Sequence, residues 1–362
     1  MTSPVEAAAA APDPLTIAVC APQVPFVSGG AEEHVQGLCQ ELRRRGHRVE
    51  LITMPYRWYP RRQLLRSVAM WELADLRETD GRRIDLVIST KFPSYFVRHP
   101  RHVLWLIHQY RQLYDLYGGP HSEFSPRRWR DRIFRRRFIR RDSAALARIP
   151  LRFTNSANTR ERLLRYNGLR AEALYHPPRL APRLHCRQHG DFILAVGRLD
   201  PLKRVGLLLQ AMALAGGGVR AVIAGTGPQE ESLKRLAADL GLRDCVEFAG
   251  FVSDERLIDL YADCRAVWFT PLDEDYGYIT LEAFGAGKAV LTCGDSGGPL
   301  EFVRDGENGF VLTPGDHAAA ARCLERLAGD PGLARQLGGN GQQALRDISW
   351  DHVISRLLEG QP

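Results

Sequence analysis

The sequence has no apolar run of membrane-spanning length, no C-x-x-C pair and no complete G-x-G-x-x-G. The first absence excludes an obvious spanning helix. Seven cysteines (Cys20, Cys39, Cys186, Cys245, Cys264, Cys293, Cys323) are odd in number and scattered, which suggests neither a disulfide framework nor a zinc site and makes a reduced, cytoplasmic setting the expectation. Without the full glycine fingerprint, the usual dinucleotide site is not indicated. Short-period repeats are missing, and the one low-complexity stretch is the alanine run of MTSPVEAAAAAPDP. That run lacks a basic n-region, is brief and is broken by prolines, so residues 1–14 read as a disordered tail.

What is present is an ordinary globular composition. The chain has 362 residues, 44% hydrophobic and 25% charged, enough for two cores. Its net charge of +7, from 49 Lys+Arg against 42 Asp+Glu, favours anionic partners without choosing among phosphate, lipid and nucleic acid.

Short apolar runs alternate with helical patterns from Leu15 onward. LTIAVCA (15–21), RVELITM (48–54), DLVIST (85–90), HVLWLIH (102–108) and RFTN (152–155) read as strands. Between the first two, Val35, Leu38 and Leu42 share a helical face that stops at Gly46. The pattern breaks at HPPRLAPRLHCRQHGD (176–191) and resumes with FILAVG (192–197), VRAVIAG (219–225), CVEFAG (245–250), RAVWFT (265–270) and KAVLTC (288–293). This is the signature of two doubly wound, Rossmann-like α/β domains, expected at 15–182 and 183–346, with a helix at 347–362 packing back on the first. Such domains facing one another leave a cleft lined by strand carboxyl ends.

Candidate site residues fall at those strand ends. Gly29 and Gly30 open the first helix, either to bring backbone N–H groups to an anion or to supply a turn of positive φ. Gly225-Thr226-Gly227-Pro228 reads as a turn. Arg198 and Lys203 leave the first strand of the second half, suited to a diphosphate leaving group or simply solvated. In EDYGYITLEAF (274–284), Gly277 permits a sharp turn, and Glu274 in the loop and Glu282 one turn into a short helix bracket a helix N-terminus. Carboxylates held beside a bound phosphate suit hydroxyl donors on flanking sugars; the alternative is a solvated loop acid and a helix-surface acid. Asp273 and Asp275 also form a D-x-D, the pattern of some metal-dependent transferases.

The ordered set GGAEEHV, GRLDPLK, AGTGP, EDYGYITLEAFGAGKAV and GGPLEFVRDGENGF resembles the retaining GT-B glycosyltransferases of family 4. The resemblance covers nearly the whole chain and implies a metal-independent enzyme with no cofactor, using a nucleoside diphosphate sugar as donor and a saccharide or lipid-linked acceptor. It places Gly30 near the donor phosphates, Arg198 and Lys203 on the diphosphate, Glu274 on donor-sugar hydroxyls and Glu282 on the ribose diol. Backbone N–H groups of Tyr278, Ile279, Thr280 and Leu281 complete the phosphate site, and His108 lies near the anomeric carbon. The sequence departs from the family pattern at Gln109, where an acidic residue is usual, and at YHPP (175–178). No carboxylate pair at glycosidase spacing can be assigned, and front-face transfer requires none. The rival readings are a non-catalytic scaffold binding nucleotide sugar or nucleic acid, and a metal-dependent transferase using the D-x-D.

Nine arginines and one aspartate lie between Arg127 and Arg141. On a helical wheel Phe134, Phe138, Ala145 and Ile149 share one face, while Arg132, Arg136 and Arg140 share the opposite face with Trp129 and Ile133. The second face fits an anionic membrane surface or a merely solvated one. No recognised nucleic-acid motif accompanies the charge, so nucleic acid is not an expected partner.

Overall fold

The computed structural model describes residues 13–26, 29–216 and 218–359. Apart from Asp13 and Pro14, the tail expected over 1–14 lies outside the described residues. The chain divides into two compact units, one of Met1–Phe153, Leu163–Ala171 and Trp350–Pro362, the other of Thr154–Arg162 and Glu172–Ser349.

The first unit is built on β1 (Thr16–Gln23), α1 (Gly30–Arg44), β2 (Arg48–Pro55), α2 (Arg61–Leu73), β3 (Leu86–Ser89), β4 (His102–Leu106), α3 (Trp129–Ala147) and β5 (Leu151–Thr154). Its main strands run in the order β2-β1-β3-β4-β5, and β1 pairs in parallel with β2 and β3. Burial explains the order. β1 is buried along almost its whole length, as a central strand must be, whereas β2 alternates and takes the edge. Helix α1 buries Val35, Leu38, Cys39 and Leu42 on one stripe and carries acids in its first turn and arginines in its last, matching its dipole.

Helix α4 (Ala157–Asn167) follows, divided between the two units at Arg162/Leu163. The second unit continues with β6 (Phe192–Val196), α5 (Gly206–Leu214), β7 (Arg220–Ala224), α6 (Glu230–Asp239), β8 (Val246–Gly250), α7 (Asp254–Asp263), β9 (Ala266–Trp268), α8 (Tyr278–Gly285), β10 (Ala289–Cys293), β11 (Gly309–Leu312), α9 (His317–Gly329) and α10 (Pro331–Gln343). Its parallel sheet has the order β8-β7-β6-β9-β10-β11. Chain direction across the sheet reverses between β6 and β9, so the loops leaving their carboxyl ends diverge and leave a crevice. In the first unit the same reversal falls between β1 and β3.

The last helix, α11 (Trp350–Leu358), belongs to the first unit. Trp350 lies edge-on to Trp105 with ring centroids 6.1 Å apart, and a Cβ at Gly37 would come within 2.9 Å of its ring. Bare backbone at Gly37 is therefore what seats the indole.

Helix α3 is two-sided in the way the wheel indicates, with one addition. Phe138, Ala145 and Ile149 are buried, while Trp129, Arg132, Ile133, Arg136 and Arg140 are exposed. Beneath the basic face, however, two acids are buried. Asp131 is enclosed with Arg61 and accepts from Ser125 N at 2.9 Å, and Asp142 accepts from two tyrosines.

AGTGP is a close-approach device as well as a turn. A Cβ at Gly225, where φ is +141°, would lie 1.9 Å from the Gly197 carbonyl oxygen, and one at Gly227 would lie 2.4 Å from that of Leu199. The loop after β7 thus rests on the loop after β6 with only backbone between them. Gly225→Ala should cost on the order of 3 kcal/mol through combined clash and strain. Thermal denaturation of the variant should show a clearly lowered Tm; an unchanged Tm would mean that the two loops are not held this close.

Candidate functional site

Two strand ends of the second unit converge through arginine and lysine. From β6 the chain passes Gly197, then an exposed Arg198 that makes no side-chain hydrogen bond among the described residues. Asp200 caps the short 3₁₀ turn Pro201–Lys203, accepting from Leu202 N at 2.9 Å. Arg204 follows at φ +50°, an unusual conformation for a residue with a side chain. Its guanidinium grips the other loop: it donates to both oxygens of Asp295 at 2.6 and 2.8 Å, to Thr270 O at 2.8 Å and to Pro271 O at 2.7 Å. With Leu272 N on Leu202 O at 2.7 Å, the loops after β6 and β9 become one body.

That join brings Lys203 and Glu274 together. Lys203 Nζ lies 2.6 Å from Glu274 Oε2 and 5.5 Å above the Phe269 ring. Both side chains are about a quarter exposed or less, at 21% and 26%. An anion reaching this ammonium would have to share or displace the carboxylate.

The Glu274 backbone is held by the glycine pair of GGPLEF. Glu274 N donates to Ser296 O and Gly298 N to Glu274 O, both at 2.8 Å. A Cβ at Gly297 would stand 2.6 Å from Glu274 O, and one at Gly298 2.6 Å from Tyr276 O, so larger residues would push the loop away. Gly277, at φ +89°, then turns the chain into α8. Tyr278 and Ile279 are half-buried, and Thr280 and Leu281 are buried; Thr280 N already donates to Gly277 O at 2.9 Å, so the N–H groups of Tyr278 and Ile279 lead the helix N-terminus. Glu282 is not the solvent-facing acid that helical position alone allows. It is 7% exposed, and its Oε2 accepts from Tyr261 OH at 2.8 Å.

The D-x-D carboxylates meet a cation. Arg162, 6% exposed, reaches Asp273 Oδ1 at 3.3 Å and pairs with Asp275 Oδ1, while Asn158 Nδ2 donates to Asp273 Oδ1 at 2.8 Å. Glu301 in turn caps the start of α4, accepting from Ala157 N at 2.7 Å and Asn158 N at 2.8 Å, and from Tyr175 OH at 2.7 Å. Burial, with the Glu301 carboxylate beside it, pushes the Tyr175 hydroxyl above its usual range. His176 stacks on Tyr276 at 4.7 Å, exchanges backbone–hydroxyl bonds with it and meets Tyr278 OH through Nε2. YHPP is therefore part of the scaffold under the first turn of α8. Arg162, Asn158, His176, Arg204 and Glu301 carry no sequence signal of this role beyond Glu301 lying inside a quoted motif and His176 inside YHPP. Among the described residues, no group of three or more His, Cys, Asp or Glu is arranged to hold a metal ion.

The first unit holds the remaining candidates. Gly29 is extended at φ −173° and Gly30 is the first residue of α1, so neither supplies a turn of positive φ. Lys91, after β3, pairs with Glu32 in the first turn of α1 at 2.8 Å. His108, half-buried after β4, places Nδ1 2.7 Å from the Gln109 carbonyl. A carbonyl only accepts, so Nδ1 carries a proton. The side chain of Gln109 is buried and donates to Asn167 Oδ1 at 3.1 Å.

Residues 183–344 match the family described as Glycosyl transferases group 1, and residues 28–176 match Glycosyltransferase Family 4. A curated relative, a D-inositol 3-phosphate glycosyltransferase of Streptomyces avermitilis, is 32% identical over 185 residues, 48% of this chain and 40% of the relative. The chain thus spans about two-fifths of the length of that relative. Among solved structures, sucrose-phosphate synthase from Thermosynechococcus elongatus superposes with a TM-score of 0.72 at 21% identity, over 96% of this chain and 98% of the other. Anabaena HepE, solved with UDP and glucose, does so with a TM-score of 0.68 at 18% identity, over 94% and 97%. At these identities the likeness establishes the fold, which is GT-B.

Proposed function

The chain belongs to the family 4, group 1 glycosyltransferases, and on that premise we propose that it transfers a sugar, with retention, from a nucleoside diphosphate sugar to a saccharide or lipid-linked acceptor. The observation that carries the reading is the 2.6 Å contact of Lys203 with Glu274 beside the N-terminus of α8. It sets a phosphate-binding cation, a hydroxyl-binding carboxylate and a row of helix N–H groups around one point. Arg198 and Lys203 take the diphosphate, and Lys203 exchanges Glu274 for phosphate as donor enters. Glu274, once released, accepts from the sugar hydroxyls. Glu282, oriented by Tyr261, accepts from the ribose diol, and N–H groups from Tyr278 to Leu281 complete the phosphate site. Gly30 approaches the phosphates, and His108 stands near the anomeric carbon.

Transfer on the front face needs no protein nucleophile. Arg198 and Lys203 stabilise charge as it builds on the departing diphosphate, and a leaving phosphate oxygen takes the acceptor proton. Metal independence is supported by Arg162, whose guanidinium already pairs with both Asp273 and Asp275. HepE, solved with UDP and glucose, makes UDP-glucose the first donor to try, and the Streptomyces relative makes an inositol phosphate a first acceptor.

A thermal-shift panel of UDP-, GDP- and ADP-sugars should identify the base by a raised Tm. With the donor so found, Arg198→Ala and Lys203→Ala should each lower turnover on the order of 100-fold while leaving the fold intact. Near-normal turnover in both would sink the phosphate assignment. Activity should also survive EDTA; loss on chelation with recovery on adding Mn²⁺ or Mg²⁺ would transfer the chemistry to the D-x-D.

The acceptor side of the reading includes an anionic membrane surface met at the inner face of a cell membrane. No helix among the described residues is long and apolar enough to cross a membrane. Trp129 is 59% and Ile133 44% exposed, side by side with Arg132, Arg136 and Arg140. Trp58 and Tyr59, also exposed, lie just before α2, whose first residue Arg61 stacks 5.1 Å over Phe134 and pairs with Asp131 of α3. Apolar rings beside cations suit an interfacial site, each cation contributing on the order of 1 kcal/mol near an anionic leaflet. Vesicle co-sedimentation should favour anionic over neutral lipid, weaken with salt, and fall when the three arginines become glutamine. If the wild-type protein ignores anionic vesicles at low salt, the face is only solvated.

A further inference from the structure

A line of hydrogen bonds, part-buried at its His108 end and buried at Asp142, runs from His108 to helix α3. His108 Nδ1 donates to the Gln109 carbonyl at 2.7 Å, and the Gln109 side-chain amide donates to Asn167 Oδ1 at 3.1 Å. Asn167 Nδ2 donates to Tyr114 OH at 3.0 Å and to Ser143 Oγ at 2.8 Å. Tyr114 OH donates to Asp142 Oδ2, and Tyr95 OH to Asp142 Oδ1 at 2.7 Å. Each donor along the line points away from His108, and the line ends on a carboxylate with no exposed surface. Direction matters here. Asn and Gln amides can face either way, and Asp142, ionised above its raised pKa of about 7, is the acceptor-only terminus that makes one sense of the whole chain the favoured one.

This also accounts for Gln109 standing where the family pattern has an acidic residue. A carboxylate at that position could not donate to Asn167 and would add a second negative charge to a buried network already ending on one.

We propose that Gln109, Asn167, Tyr114 and Asp142 are positioning residues for His108, a one-way chain of donors that fixes Gln109 and its carbonyl and with it the Nδ1–H tautomer of the imidazole. The role of His108 in transfer rests on the function proposed above, whereas its positioning does not.

The test uses the full chain with ¹⁵N-labelled histidine rings, the His108 signals being assigned by their loss in His108→Gln. Wild-type His108 should show the Nδ1–H tautomer. Gln109→Leu and Asn167→Leu cut the same link from its two ends, so either one that keeps the wild-type circular dichroism is sufficient. Each should mix the tautomers of His108. Asp142→Asn, whose amide replaces one of the two acceptor oxygens met by Tyr114 and Tyr95 with a donor, should do the same without removing any bulk. Unchanged His108 nitrogen shifts in the folded variants would overturn the proposal. With UDP-glucose as probe, kcat should fall about tenfold at little-changed KM. Mixed tautomers with unchanged kcat would support the positioning and instead remove His108 from the chemistry.

Discussion

The second unit is organised around one buried guanidinium. Arg162 lies almost wholly out of solvent, with two carboxylates of one short loop, Asp273 and Asp275, as its charge partners. Removing Arg162 would leave two carboxylates of one loop without their cation, which is the expensive way to break a buried ion pair. Asn158 and Glu301 extend the same set of contacts to the start of α4 and to Tyr175, so loop position, helix start and the aromatic stack under α8 are set together. Glu274 sits between the two clamped aspartates and inherits their placement. A carboxylate in the role proposed for Glu274 has to be rigid to discriminate, and here the rigidity comes from residues that need never touch a ligand.

Strand positions were largely readable from apolar runs. All ten strands assigned on that basis are present, with ends that differ by no more than two residues. Besides the two-residue strands Glu78–Thr79, Arg82–Arg83 and Glu172–Ala173, periodicity did not mark Gly309–Leu312, which is four residues long and follows a turn rich in charge and glycine, too short for an alternating pattern to register. The loop residues Arg198, Lys203 and Glu274 were legible because they share strand ends with glycines that have few other uses. Arg162 was not, since one arginine in a helix containing several looks like solvated charge. Its partners lie more than a hundred residues away, and nothing local encodes a pairing of that kind.

Helix α3 shows the opposite balance. Its outward face follows from the wheel, because exposure repeats with the helical period. What the wheel cannot see is that Asp131 and Asp142, the acids in this arginine-rich helix, are drawn inward. Burial without a facing cation pushes the Asp142 carboxyl up to about 7, its hydrogen-bond partners among the described residues being only Tyr95 and Tyr114. The helix therefore keeps its positive charge outside and places acceptor capacity inside, a segregation that composition counts as a near-uniform basic run.

The division of the chain has a consequence for dissecting it. Thr154–Arg162 and the segment from Glu172 belong by their contacts to the second unit, although they precede the 176–191 break at which the sequence pattern changes. A fragment excised at that break would retain every quoted motif of the second half, yet leave Arg162, Asn158 and Tyr175 behind. Asp273 and Asp275 would then face each other without their cation, and Glu301 would lose both the helix start it caps and its phenol donor. The compact unit is thus not the motif-bearing stretch alone, and a boundary drawn by sequence punctuation would sever the part that keeps the motif in shape.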